Sequence, residues 1–318
     1  MKHIRAIINS VTKSKPRLLT LYTNYSNVSM LRDFETYALV NQGIFLPKTR
    51  ELLPNLLSVM DARELDFDLC VSFSGGHLNN ILADIAKDRG IDILTYEMNF
   101  MKDLRTDIGY IASNKNSYFP SVGMAKKCYG NEDNILIPNV NAIFNSVNPI
   151  LNRQVDIACF GEFLIEKEEE TNFSEWKYIT NTIPSAIYGF NPKINSYNPR
   201  LEELPSIYNQ VKVVLNTKTH GLFPMELLEA ICCGCIAVSY PFPGIEDFPG
   251  VKVVNSKEEC RQYISDLLYN KEKLKAISDF NSNNGLYFKQ RNDIMGLILK
   301  KWRDINEFGF QHYRLSRV

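Results

Sequence analysis

The sequence predicts an α/β protein of two domains, each a mostly parallel sheet flanked by helices. Short apolar runs alternate along the chain with longer segments of helical period, which is the pattern of strand and helix by turns. At 318 residues the chain exceeds what one hydrophobic core usually fills, so two domains of roughly 150 residues are expected. Between two strand candidates, residues 139–153 read NVNAIFNSVNPILNR, an Asn-rich stretch with one Pro that suits a domain boundary. The domains are therefore set at residues 1–150 and 151–289. The helix-like run from about residue 290 to 318 either crosses back onto the first domain or packs on its own.

The strand candidates, in order, are Arg17–Thr23, Phe67–Phe73, Asp92–Tyr96, Ile135–Pro138, Val155–Gly161, Ser185–Phe190, Val211–Asn216, Cys235–Tyr240 and Val251–Val254. Helices are expected over Arg50–Met60, Leu78–Arg89, Phe223–Cys232, Lys257–Tyr269 and Asp293–Phe308. No repeat of fixed period is visible.

Composition excludes several function classes. Lys+Arg and Asp+Glu are both 36, which argues against a protein held on nucleic acid by bulk charge. The basic residues Lys2, Arg5, Lys13, Lys15 and Arg17 read as a solvated start. There are seven cysteines, an odd number, and several lie in apolar runs, which suits reduced, buried thiols in a cytoplasmic protein. The string CCGC (Cys232–Cys235) has no second pair at ligand spacing, so no metal site is expected. No membrane-spanning run and no signal-peptide core are present.

Residues 211–248 carry the chemistry: VKVVLNTKTHGLFPMELLEAICCGCIAVSYPFPGIEDF. Val211–Asn216 reads as a buried strand, followed by a polar turn with Lys218 and His220. A helix with Pro224 near its start then runs to Gly234, the residue type that ends helices in a left-handed conformation. Such a strand–turn–helix puts the helix N-terminus at the carboxyl edge of the sheet, where ligands gather. Free N–H groups of Gly221, Leu222 and Phe223 would suit a diphosphate. Lys218 and His220 would add charge, and Glu229 would accept ribose hydroxyls. Glu226 and Glu229 also read as acids that simply complement the helix dipole.

The run LLEAICCGCIAVSYPFPGIEDF resembles the sugar-nucleotide segment of the GT-B glycosyltransferases, the group 1 C-terminal domain. The order of pieces resembles the spore maturation protein CgeB group within them: VDIACFG (Val155–Gly161), AIYGF with Gly189, LPSIYNQVKVVLN (Leu204–Asn216), then the helix with Glu229. The resemblance covers about residues 155–285. It implies two Rossmann-like domains facing a central cleft, and a nucleotide-sugar co-substrate, UDP-sugar favoured, with no other cofactor and no metal. Glu229 falls on the family's ribose-binding glutamate. Two departures stand out. Gly221 occupies the place where many retaining members carry a first glutamate, and GEFLIEKEEET lacks the Arg that many members place after the first strand of this domain.

Three loops of the first half should face the cleft. These are Thr23–Leu31, then Ser74–Asn80 with His77, then Thr95–Asp107 with Glu97, Asp103 and Asp107. His77, Glu97 and Asp103 are the candidates for taking the acceptor proton. Tyr96 and Phe100 read either as a sugar platform or as core. The expected activity is transfer of a hexosyl or pentosyl group to an acceptor the sequence does not name: glycan, lipid, protein or modified DNA base. The alternatives are an inactive nucleotide-sugar-binding or partner-binding scaffold, and an epimerase or hydrolase on the same fold.

Overall fold

A computed structural model of the protein describes residues 15–21, 31, 34–39, 55–73, 77–97, 99–100, 117–128, 130–138, 140–162, 164–289, 294 and 296–304. The first half forms β1 (Arg17–Leu21), β2 (Glu35–Leu39), β3 (Asn55–Leu57), α1 (Val59–Glu64), β4 (Leu69–Ser72), α2 (His77–Arg89), β5 (Ile93–Tyr96), β6 (Asn99–Phe100), β7 (Ser117–Tyr118) and α3 (Val122–Lys127). The second half forms β8 (Val155–Phe160), α4 (Glu168–Thr171), α5 (Phe173–Thr180), β9 (Ser185–Tyr188), α6 (Leu204–Tyr208), β10 (Val211–Asn216), β11 (Gly221–Leu222), α7 (Met225–Cys232), β12 (Ile236–Ser239), β13 (Val251–Val253), α8 (Lys257–Tyr269) and α9 (Lys271–Lys289).

Two parallel sheets result, ordered β3-β2-β1-β4-β5-β7 and β13-β12-β10-β8-β9. Central strands such as β10 are apolar along most of their length because helices cover both faces. In each sheet the strand order reverses once, between β1 and β4 and between β8 and β10. Helices leave opposite faces at those points and open a crevice at the carboxyl ends.

Three sequence expectations need correction. Arg50–Met60 is not a single helix, since Asn55–Leu57 forms the edge strand β3. A proline in this stretch of sequence disfavours one continuous helix. The helix begins only after Ser58, whose side chain accepts from Asp61 N at 3.1 Å. Ile135–Pro138 makes only an isolated bridge, Ile135 to Phe119, and Pro138 has no N–H to extend it. No helix is expected over α9, because its sequence FNSNNGLYF is poor in helix formers.

Packing makes α9. Asn281 Nδ2 donates to Cys235 O at 2.7 Å and Ser278 Oγ to Gly234 O at 2.6 Å. Gly285 lies against Cys232, and a Cβ there would come within 2.8 Å of the Cys232 Cα. The small residues of CCGC thus admit a second helix at short range. Gly234, at φ +72°, closes α7 with the expected left-handed turn. Its N–H reaches Ile231 O at 2.9 Å and that of Cys235 reaches Ala230 O at 2.9 Å. All seven cysteines are buried free thiols, and desolvation pushes Cys232 and Cys260 up to about 12.

The halves meet along one apolar cluster containing Leu18, Phe73, Tyr96 and Met124 with Phe223, Phe242 and Phe248. Ile294 and Ile298 of the C-terminal segment are buried in it too. Gly123 N donates to Asp247 Oδ2 at 2.8 Å across the junction. No helix among the described residues is long and apolar enough to cross a membrane.

Replacing Gly285 by Ala is expected to force α9 off α7 and cost about 1–3 kcal/mol. Thermal unfolding should show a lower Tm than that of the wild type.

Candidate functional site

The crevice of the second sheet opens between the ends of β8 and β10. Its floor is rigid. Asn216 is buried and donates to Ser239 Oγ at 2.9 Å, and its Oδ1 accepts from Lys218 N at 3.2 Å. Across the crevice, Asn172 Nδ2 donates to Thr217 O at 2.8 Å, and Thr217 Oγ1 donates to the Thr171 carbonyl. The turn after β10 is therefore bound to the segment after β8.

Lys218 Nζ lies 3.1 Å from Glu226 Oε1, and the two side chains are only 17% and 16% exposed. Burial works against the Lys218 charge. The Glu226 carboxylate, with Glu170 beyond it, more than offsets this and raises the lysine's pKa. His220 sits beside it, Nδ1 3.2 Å from Thr219 Oγ1.

Gly221 and Leu222 are not free at a helix N-terminus. They form β11, paired antiparallel with Asn99 and Phe100 of β6 from the other half, and α7 starts at Met225. Gly221 has φ +90°, a conformation suited to glycine, and a Cβ there would collide with the Glu170 carboxylate.

Glu229 lies in the second turn of α7, partly accessible. Its Oε2 accepts from Tyr208 Oη at 2.9 Å. Burial lifts its carboxyl to about 8. The Tyr208 hydrogen bond pulls the other way, and nearby Glu226 adds to the rise. Glu229 is therefore largely a neutral acid at pH 7. Tyr208 is buried and stacks on Phe160 with ring centroids 4.4 Å apart. Gly189, at φ +123°, ends β9 and packs its Cα on the Gly161 carbonyl, leaving no room for a side chain.

The structure thus gathers Lys218, Gly221 and Glu229 of the expected set at one edge, with His220 beside them and Gly189 beyond β8. On the facing side, His77 opens α2 directly after β4. Glu97 follows β5, is 0% exposed, and donates its N–H to Tyr118 O at 2.8 Å. Tyr96 is core rather than platform, buried with its hydroxyl donating to Leu136 O at 2.6 Å. Asp103 and Asp107 fall outside the described residues. Tyr208 and Glu170 carry no local sequence signal, because each reaches the crevice from a different element.

Glu229 gives the fold a pH dependence. The free carboxyl ionises near 4.5 and the folded one near 8. In that window the fold keeps a proton that the unfolded chain releases. The associated stability is full below about pH 4.5 and is lost as pH rises through about 8. Glu229→Gln removes this dependence. Its Tm relative to wild type should therefore rise between about pH 5 and about pH 9 in thermal melts of both proteins.

Residues 147–282 match the family model described as glycosyl transferase-like. No curated protein matches the chain in sequence. Among solved structures, the chain is similar to a glycosyltransferase from Rickettsia africae ESF-5, with TM-score 0.61, 11% identity, and 94% of this chain aligned over 99% of that one. It is similar to a sucrose-phosphate synthase from Thermosynechococcus elongatus, with TM-score 0.63, 10% identity, and 92% over 99%. A protein described as a UDP-N-acetylglucosamine 2-epimerase from Listeria monocytogenes also aligns, with TM-score 0.51, 11% identity, and 88% over 98%. Its two Rossmann-like parallel sheets give this chain the GT-B fold, and its second half matches the glycosyl transferase-like family.

Proposed function

We propose that the protein transfers a sugar from a nucleotide-sugar donor, a UDP-sugar by preference, to an acceptor bound by the first half. The observation that carries this reading is the position of Lys218, Gly221 and Glu229. They meet at the switch-point crevice of the sheet that lies wholly inside the family match. A parallel sheet of this order takes its ligand there. Glu229 suits ribose hydroxyls, and Lys218 with the start of α7 suits the leaving diphosphate. This chemistry calls for no metal.

Transfer forms a bond between an acceptor oxygen and the anomeric carbon and breaks the bond from that carbon to the diphosphate. The electron pair leaves with the diphosphate, and a base takes the acceptor proton. Of the candidate bases, His77 at the carboxyl edge of the first sheet fits this task best, since Glu97 is fully enclosed. The β6–β11 ribbon runs from the segment after Glu97 to the turn after Lys218, so it links the acceptor side to the donor side.

One observation favours a second reading, that of a binding scaffold. Lys218 is already engaged by Glu226, so phosphate has to compete for it. Turnover separates these readings. UDP release that requires an acceptor means transfer. Interconverted sugar means epimerisation, release into water means hydrolysis, and saturable binding without turnover means a scaffold.

Titration with UDP, GDP, ADP and their sugar derivatives should raise the Tm with one nucleotide class. The gain is about 2.7 kcal/mol at 100 times Kd. Glu229→Ala should lose most of that gain, and absence of any shift in the wild type would overturn the donor site. His77→Ala should lower kcat about 10²–10⁴-fold and leave the donor Kd unchanged. An unaltered kcat would remove His77 from the chemistry.

A further inference from the structure

The run Glu166–Glu170 is the most acidic stretch of the second half, and its members are used differently. Glu166 lies 3.8 Å from Lys193 on the outer surface. Glu168 Oε1 accepts from Ser174 N at 2.9 Å and so caps α5. Glu169 is exposed. Glu170 alone turns inward, over the Cα of Gly221 and toward Lys218.

Its place is held from both sides. Thr171 is buried and donates from Oγ1 to Leu164 O at 2.7 Å. The Thr171 carbonyl accepts from Thr217, and Asn172, in the left-handed region at φ 49°, donates to Thr217 O at 2.8 Å. Glu170 is thus delivered by the segment after β8 onto the turn after β10. Those are the two edges of the switch-point crevice. A side chain at position 221 would take the space its carboxylate fills.

We infer that Glu170 is a sugar-binding residue that determines donor specificity by accepting hydroxyl hydrogen bonds from the group to be transferred. The inference rests on the donor-site reading above. Charge decides which part of a donor it meets. A carboxylate repels phosphate oxygens and accepts strongly from hydroxyls, and beside the cation Lys218 it sits next to the expected diphosphate position. The sugar hydroxyls are the groups within that neighbourhood that complement it. Gly221 leaves the opening for it.

The test compares binding of UDP alone with binding of UDP-glucose and UDP-N-acetylglucosamine, by calorimetry, for wild type, Glu170→Gln and Glu170→Ala. Wild type should bind at least one of the sugar nucleotides more tightly than UDP. Glu170→Ala should lose about tenfold or more of that advantage while its Kd for UDP stays within about twofold. Glu170→Gln, which keeps one acceptor oxygen, should fall between them. Equal weakening of UDP and sugar nucleotides would make Glu170 structural and overturn the inference. Tighter UDP binding with unchanged sugar preference would make it a repelling anion and overturn it too. So would a wild type with no preference for either sugar nucleotide over UDP. Failure of the donor-site reading itself shows separately, as absence of any nucleotide binding to wild type.

Discussion

A buried arginine whose guanidinium is satisfied by backbone carbonyls ties together the second half. This residue, Arg153, is 3% exposed. It reaches Asn148 O at 2.9 and 3.1 Å, Val211 O at 2.9 Å and Cys233 O at 2.7 Å. A buried cation costs a great deal unless its donors are satisfied, so these carbonyls are held close to one another. They belong to the linker, to the start of β10 and to the cap of α7. Arg153 thereby pins the C-terminal end of α7 to the sheet, one turn beyond Glu229.

The crevice built on this frame is rich in carboxylates. Glu226 and Glu170 flank Lys218, Glu229 lies beyond Glu226, and the fold manages the charge in three ways. Glu226 is paired with the lysine, Glu229 holds a proton and a tyrosine hydroxyl, and Glu170 remains partly solvated at the rim. Such a site favours a ligand bearing many hydroxyls over a bare anion.

The ribbon of β6 and β11 adds a mechanical link. Antiparallel pairing of Gly221 with Phe100 and Leu222 with Asn99 makes the turn after β10 and the segment after β5 one unit. A fixed distance between two such segments matters wherever a reaction bridges two domains, since misplacement of reacting groups is costly. The cost is that the N–H groups nearest the turn belong to a ladder rather than to a helix end.

The amino-acid sequence determined the parallel architecture, most strand cores, the left-handed Gly234 that ends α7, and the polar turn that follows β10. Local rules suffice for these: apolar runs bury themselves, and glycine adopts the positive φ that closes a helix. Only the tertiary structure decided what surrounds that turn. Helix α9 forms against its own propensities because Ser278, Asn281 and Gly285 fit the CCGC turn. Tyr208 finds Glu229 from another helix, and Glu170 fills the space left by Gly221 from the far edge of the crevice. These contacts join segments distant in the chain, and such pairings are set by how the layers pack rather than by spacing in sequence.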